Sequence, residues 1–395
     1  MARRCYRNPS LIGRLGLACL FAISFAMTAE AKPVLTAVPF AQIESWAADD
    51  HAAALAAFQR SCDEILASGH GFERNVRFGG RREDWLDVCE KALQSKSARQ
   101  FFEEQFAALR VTDPVRPEGL FTGYYEPEAE GSRTAGNGYG VPIYRKPDDL
   151  VSFDRATEKQ INLKYGRMVQ GRPAGYFTRR EIEEGALRGR GFEIVWLKSW
   201  VDAFFIHVQG SGRIRFEDGS TMRLAYGAKT GQPYTGIGGL LVERGVLTRA
   251  NMSMQALRKW MKNNPRSARE LMWENKSFVF FREVKVDDPS LGAPGAQKVP
   301  LTPLRSMAVD RSLWMFGTPI WLDAKVPSGA AGEMQSFRHL MIAQDTGTAI
   351  KGHVRGDVYW GWGEKAALIA GHMKSPGSMI VLLPKKLGLR LLNER

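Results

Sequence analysis

The sequence has few cysteines and histidines and, after its first 31 residues, no long apolar run. Only four Cys and six His occur in 395 residues. They show no C-x-x-C or H-x-x-x-H spacing, so we expect no metal site, and we also expect no cofactor. No later run approaches the roughly 18 apolar residues of a membrane helix. Because the chain is 44% hydrophobic and 25% charged, its composition is that of a packed globular protein, which excludes disorder and fibres.

Acidic residues are too few to balance the basic ones. The chain has 55 Lys and Arg against 42 Asp and Glu, which gives a formal net charge of +13. Such a charge suits nucleic acid, an anionic membrane surface or a polyanionic polymer, and by itself it does not choose among them.

The N-terminus has the pattern of a secretory signal. Four Arg precede the apolar run 15–28, which ends at an A-x-A site, so cleavage before Lys32 is predicted. A membrane anchor is the alternative, but a bilayer requires roughly 20 apolar residues. Lipidation at Cys19 is disfavoured because Gly16 stands where a large aliphatic residue is expected. Losing residues 1–31 removes four Arg and one Glu and leaves a net charge of +10. We expect an exported, periplasmic protein without a nucleic-acid partner.

Two cysteines remain after the signal, Cys62 and Cys89. In an oxidising compartment they are expected to form one disulfide. Two free thiols in the core are the alternative.

Hydrophobic periodicity divides the rest of the chain into helical and β-rich parts. Residues 40–109 have helical spacing, and short β-rich runs broken by Gly and Pro follow Pro114. One of these runs is residues 203–209, which we predict as a strand. Helical spacing returns at 239–273, and a second β-rich block covers 278–383. The many short strands predict a barrel or a sandwich.

Two aspartates mark the densest group of unusual residues. Asp345 and Asp357 lie beside glycines, and Tyr359, Trp360 and Trp362 follow. A single Asp beside Gly is typical of an Asx-turn. Two of them next to aromatic residues favour a sugar-binding cleft, because rings stack on pyranose faces while a carboxylic acid reaches the glycosidic oxygen.

The chain resembles the membrane-bound lytic murein transglycosylase A family. The resemblance runs in the expected order over roughly residues 115–385. It rests on the motifs at 121–127 (FTGYYEP), 205–212 (FIHVQGSG), 226–231 (YGAKTG), 308–312 (AVDRS) and the DTG-containing run 345–361.

The resemblance implies a mainly β protein with an N-terminal helical segment. A double-psi β-barrel domain would face a smaller inserted β-barrel domain across a groove. The expected division is a signal peptide at 1–31, a helical segment at 32–115 that joins the catalytic domain, the inserted barrel at 116–238 and the catalytic barrel at 239–390. A three-aspartate region would occupy 300–385.

The resemblance also implies cleavage of the β-1,4 bond between N-acetylmuramic acid and N-acetylglucosamine in peptidoglycan, leaving a 1,6-anhydro end. Asp357 falls on the catalytic acid, Asp345 on the second aspartate and Asp310 on the third, for which a structural role is the alternative. The link before Asp357 departs from the family pattern, since His353-Val354-Arg355-Gly356 stands where a shorter link with His and Phe is expected.

A mechanism follows from what an acetal requires. Asp357, kept protonated by burial and by Asp345, would protonate the leaving oxygen and then take the proton of the muramic C6 hydroxyl. The substrate-binding candidates are Thr122, Tyr124, Gln209, Ser211, Gly212, Lys229, Lys351 and Tyr359. For the lysines a solvated surface role is the alternative, and for residues 210–212 it is a tight β connection.

Two other function classes stay open. A glycoside hydrolase would use both aspartates with water as the nucleophile, and an expansin-like module would bind the wall without cleaving it. The expected partner is the peptidoglycan glycan strand, and a monomer is expected. The sequence does not indicate which proteins of a wall-synthesis complex bind this chain. Association with the outer membrane stays an open alternative.

Overall fold

The computed structural model describes residues 33–328 and 333–394. The predicted signal segment, its cleavage site before Lys32 and Cys19 lie outside the described residues. The described strands are β1 (Val34–Ala37), β2 (Phe106–Thr112), β3 (Gly119–Glu126), β4 (Glu128–Ser132), β5 (Val141–Tyr144), β6 (Val151–Ser152), β7 (Tyr165–Val169), β8 (Arg172–Gly175), β9 (Glu193–Leu197), β10 (Ser211–Arg215), β11 (Thr221–Lys229), β12 (Val279–Val284), β13 (Ser306–Val309), β14 (Pro319–Pro327), β15 (Met334–Asp345), β16 (Arg355–Trp362) and β17 (Lys374–Pro384). The described α-helices are α1 (His51–Ala67), α2 (Glu83–Gln94), α3 (Ala98–Gln105), α4 (Arg155–Ile161), α5 (Arg179–Glu181), α6 (Trp200–Gln209), α7 (Ile237–Glu243), α8 (Met254–Asn263), α9 (Pro265–Glu274), α10 (Gly363–His372) and α11 (Lys385–Asn393).

Six strands close into a barrel. Strands β17, β14, β15, β13, β16 and β3 are hydrogen-bonded in this order, and β3 pairs again with β17. The pairs β13–β15 and β3–β16 are parallel, whereas the other pairs of the ring are antiparallel. Closure leaves no open edge within this ring, and β1 and β2 extend the sheet outward from β17. The chain is thus mostly β with helices, as expected, and β3 is contributed from far upstream of the other five barrel strands.

A second sheet has the order β12-β11-β10-β4-β9-β5. A bridge between Arg145, just after β5, and Phe281 of β12 brings its two ends together. The turn between β10 and β11 contains Asp218 and Gly219, and Gly219 has the positive φ of 81° that this hairpin needs. Because β12 belongs to this sheet, the sheet continues past residue 238, the boundary that we expected from the sequence. A third sheet has the order β6-β7-β8.

The N-terminal helices cover one side of the barrel. Helices α1 and α2 bury an apolar stripe each, and their side chains join one core cluster with strands of the barrel. Cys62 and Cys89 form a disulfide between these two helices, with Cα atoms 4.9 Å apart. Helices α1, α2 and α3 lie within residues 40–109 as predicted, and the predicted disulfide is present, but residues 106–109 lie in strand β2 and the helical prediction is wrong for them.

A buried aspartate fastens the N-terminal segment to the barrel. The side chain of Asp49 has no exposed surface. It accepts two hydrogen bonds from Arg305 at 2.8 and 3.0 Å, one from His339 Nδ1 at 2.8 Å and one from the Leu340 amide at 2.9 Å. Burial opposes the charge, but the hydrogen bonds from His339 and Arg305 outweigh it and hold the pKa of Asp49 well below its ordinary value.

The strand predicted at 203–209 is wrong, because these residues lie in helix α6. Ser199 caps the helix by accepting hydrogen bonds from the amides of Val201 and Asp202. Gly210 ends it in the left-handed conformation, with φ of 77°. The helix is buried against both the second sheet and helices α8 and α9. Its sequence is therefore apolar on nearly every side, and a short apolar run does not show helical period.

Within residues 33–328 and 333–394, no helix combines the length and apolar character that crossing a membrane requires.

Candidate active site

Strand β13 lies between the two strands that carry the aspartates, β15 and β16. Ala308 is the register partner of Asp345 on β15 and also of Asp357 on β16. Two strand spacings separate the aspartate backbones by about 10 Å. Asp345 is the last residue of its strand and Asp357 is the third of its strand. The barrel therefore brings together two carboxyl groups that are twelve residues apart in the sequence, and both remain partly exposed.

A hydroxyl group connects Asp357 to a cation. Thr122 lies directly opposite Asp357 in the parallel pair β3–β16, and its Oγ1 donates a hydrogen bond of 2.6 Å to Asp357 Oδ1. Arg355 Nη2 donates to the same Oγ1 at 2.9 Å. Because a guanidinium can only donate, it fixes the direction of the threonine proton toward the carboxyl group. Asp357 Oδ2 accepts no hydrogen bond from the described part of the chain, so it is free to face a ligand.

Asp345 has a different environment, in which both oxygens are used. Oδ1 accepts hydrogen bonds from the amides of Ala296 at 2.9 Å and Thr346 at 2.8 Å. Oδ2 accepts one from the Tyr124 hydroxyl at 2.9 Å. These three donors hold the Asp345 side chain in one position.

Burial raises the pKa of both aspartates. For Asp357, the hydrogen bond from Thr122 and the charge of Arg355 oppose this effect, while repulsion from Asp345 adds to it. For Asp345, burial outweighs the two backbone amides and Tyr124. A raised pKa favours the protonated carboxyl group, which is the form that a general acid requires.

Two tyrosines form the wall beside Asp345. Tyr359 is only 1% exposed, and its ring centroid lies 5.3 Å from that of Tyr124. Its hydroxyl points to the buried Glu126 at 3.4 Å, and Glu126 forms a 3.0 Å ion pair with Arg213. Tyr359 therefore supports Tyr124 from behind. Its stacking against a sugar, expected from the sequence, stays a prediction.

The third aspartate is held within the barrel loops. Asp310 is 4% exposed and accepts hydrogen bonds from the amide and hydroxyl of Ser312 and from the Gly352 amide. Lys351 pairs with it at 3.2 Å. These contacts agree with a structural role for Asp310, because they join the turn after β13 to the loop before β16.

The remaining candidates lie at different distances from the aspartates. Gln209 Oε1 accepts a hydrogen bond from the Tyr125 amide at 3.1 Å, so it lies next to the end of β3. Lys229, at the end of β11, donates to Thr348 Oγ1 at 3.2 Å, beside the loop that follows Asp345. Ser211 and Gly212 are buried in β10 and form no side-chain hydrogen bond to either aspartate within the described residues. Their place in a groove stays a prediction.

Sequence reasoning missed Arg355 and the Ala296 amide. Arg355 precedes Asp357 by two residues in a strand and therefore shares its face, so period-two alternation could have identified it. Ala296 lies in a loop 49 residues before Asp345, and no local pattern indicates this contact. In the described ranges, no three His, Cys, Asp or Glu side chains are grouped to hold a metal ion.

Comparison with known proteins identifies the family. Residues 120–282 match the family model described as the MltA specific insert domain, and residues 305–383 match the 3D domain. The crystal structure of a membrane-bound lytic murein transglycosylase from Agrobacterium tumefaciens is 34% identical, with a TM-score of 0.80 over 90% of this chain and 99% of that chain. This chain belongs to the membrane-bound lytic murein transglycosylase A family.

Other proteins similar to this chain carry the same family name. The Vibrio cholerae membrane-bound lytic murein transglycosylase A is 37% identical over 266 residues, which is 65% of this chain and 63% of that protein. The Escherichia coli protein of the same name is 36% identical over 270 residues, 66% of this chain and 65% of that protein. The chain thus spans slightly less than two thirds of the length of these curated relatives. A crystal structure of E. coli MltA with bound chitohexaose is 28% identical, with a TM-score of 0.61, and covers 90% of this chain and 93% of that chain.

Proposed function

We propose that this protein is a lytic transglycosylase of peptidoglycan. It cleaves the β-1,4 bond between N-acetylmuramic acid and N-acetylglucosamine and leaves a 1,6-anhydromuramic end. Membership of the family supports this reaction. The E. coli relative with bound chitohexaose supports it further, because that ligand is also a chain of β-1,4-linked N-acetylated sugars.

The observation that carries the proposal is the difference between the two aspartates. Asp345 has both oxygens engaged by three donors. Asp357 has one oxygen held by Thr122 and the other free of partners in the described residues. Of the two, Asp357 is therefore the one arranged to give a proton to a bound oxygen, and its raised pKa favours the protonated form that a general acid requires.

The reaction needs one acid that later acts as a base. Asp357 Oδ2 donates its proton to the glycosidic oxygen while an oxocarbenium-like centre develops at muramic C1. The resulting carboxylate then accepts the proton of the C6 hydroxyl as that oxygen attacks C1. The leaving sugar carries away the first proton and Asp357 holds the second, so the site returns to its protonated state without water. Asp345 and Tyr124 hold the sugar-facing wall.

We also propose a division of the chain into two barrels with a groove between them, and membership of the family supports it. The six-stranded closed ring is a double-psi barrel and the sheet around β10 is the inserted barrel, with the substrate groove between them. The groove contacts come from Thr122, Gln209 and Lys229. The protein acts in the periplasm after loss of residues 1–31, where its net charge of +10 attracts it to the carboxylate-bearing wall.

The fragments that the protein releases from purified sacculi test this function. Wild-type protein is expected to lower turbidity and to release fragments one water lighter than those of a hydrolase. Asp357→Asn removes the proton donor, and general acid–base catalysis contributes about 10² to 10⁴-fold, so release is expected to fall by about this factor. The exposed Asp63→Asn serves as the matched control.

Each alternative gives a different result. Fragments with reducing ends would support a two-carboxylate hydrolase, and binding without any release would support an expansin-like module. Near wild-type release by Asp357→Asn would show that another residue is the acid.

A further inference from the structure

Four cations from different parts of the fold lie near the loop that follows Asp345. Lys229 of β11 reaches the loop after Asp345 through its 3.2 Å hydrogen bond to Thr348. Gly231 packs against the backbone of Tyr165, so a Cβ atom there would lie 2.8 Å from the Tyr165 carbonyl oxygen. Lys164 Nζ lies 5.8 Å from the Tyr165 ring centroid, and the charge of Lys164 acts on Lys229. The other two cations lie in loops of the barrel next to Asp310, because Arg311 follows Asp310 in the chain and Lys351 pairs with it at 3.2 Å. We call this set the cation cluster: Lys164, Lys229, Arg311 and Lys351.

The cation cluster has little negative charge to balance it. Within residues 33–328 and 333–394, Lys164, Lys229 and Arg311 form no ion pair, and Lys351 pairs only with Asp310. Asp310 is itself engaged by Ser312 and Gly352. Burial and the charges of the other three cations lower the pKa of Lys229. Unpaired cations that repel one another are stabilised when an anion binds between them.

We infer that the cation cluster binds carboxylates of the stem peptide on the muramic acid whose bond is cleaved, an inference that rests on the proposed function. The cluster adjoins Thr348, three residues after Asp345. Muramic acid bears its peptide on the C3 lactyl group, and in an intact strand that lactyl carboxyl is an uncharged amide. The anionic groups next to the cleaved bond are then the free carboxylates of the peptide. Four cations also match a peptide with several carboxylates better than a single acid.

The experiment compares two natural substrates. We compare kcat/KM on peptide-bearing glycan strands with kcat/KM on strands from which an amidase has removed the peptides. The ratio of the two values is measured for wild type and for the double variant Lys164→Gln with Arg311→Gln. Both side chains are exposed, and each exposed ion pair contributes at most about 1 kcal/mol. The ratio is therefore expected to fall about tenfold, which corresponds to about 1.4 kcal/mol.

A charge-matched control separates local binding from general attraction. Arg116→Gln with Lys325→Gln removes the same charge from exposed residues that form no ion pair in the described parts of the chain, and its ratio is expected to equal that of wild type. An unchanged ratio in the cluster variant would overturn the inference. Equal loss on both substrates would also overturn it, because stripped strands carry a free lactyl carboxylate and no peptide. Wild-type protein that cleaves neither substrate would instead contradict the proposed function.

Discussion

Replacing Arg355 tests how the site sets the acidity of Asp357. The guanidinium reaches Asp357 through the Thr122 hydroxyl, by hydrogen bonds of 2.9 and 2.6 Å. Arg355→Gln removes the positive charge and leaves the carboxyl group in place. Since that charge lowers the pKa of Asp357, its loss raises the pKa further. The protonated acid then persists to higher pH, so the high-pH limb of kcat/KM is expected to move to higher pH.

The size of the shift follows from the geometry. With the two charges about 5 Å apart and an effective dielectric constant of about 20, their attraction is about 3 kcal/mol. This energy corresponds to at most about 2 pH units. Both side chains are partly exposed, and screening by water reduces the effect, so a shift of about 1 unit is expected.

The assay is the pH dependence of anhydromuropeptide release by wild type, Arg355→Gln and Arg355→Lys. The lysine variant keeps the charge, so its limb is expected to stay closer to that of wild type. A limb that moves to lower pH in Arg355→Gln, or that moves equally in both variants, would refute the proposed link between this charge and the acid. Thermal unfolding of all three proteins shows whether the fold is kept.

Three further predictions concern the scaffold and the wall of the site. Asp49→Asn is expected to destabilise the protein by about 3 kcal/mol or more. Because the folded pKa of Asp49 lies below its ordinary value of 3.8, the stabilisation is complete above that pH. The difference in unfolding free energy between Asp49→Asn and wild type should therefore narrow as the pH falls below 3.8, and a constant difference would contradict the charge argument. Cys62→Ser with Cys89→Ser opens a loop with a sequence separation of 27 and is expected to cost about 3 to 4 kcal/mol in denaturant unfolding; unchanged stability would show that the disulfide does not constrain the unfolded chain. Tyr124→Phe removes one donor to Asp345 and is expected to lower kcat/KM about tenfold at unchanged melting temperature, whereas full activity would show that this hydrogen bond does not matter for cleavage.

The sequence by itself determined the local elements and the chemical type of the site. Helical spacing predicted α1 and α2, because this signal is local to the chain. The cysteine count predicted the Cys62–Cys89 pair. Asp345 and Asp357 stood out because two such aspartates next to aromatic residues favour a sugar-binding cleft.

Only the tertiary structure decided how these residues work together. Helix α6 was mistaken for a strand because burial on both sides removes the polar face that reveals helical period. The partners of the aspartates come from β3 and from the loop at Ala296, which are brought near by barrel closure across 235 and 49 residues. The different roles that we propose for Asp345 and Asp357 depend on which of their oxygens are already hydrogen-bonded. That difference is a property of contacts between distant strands, and no sequence pattern records it.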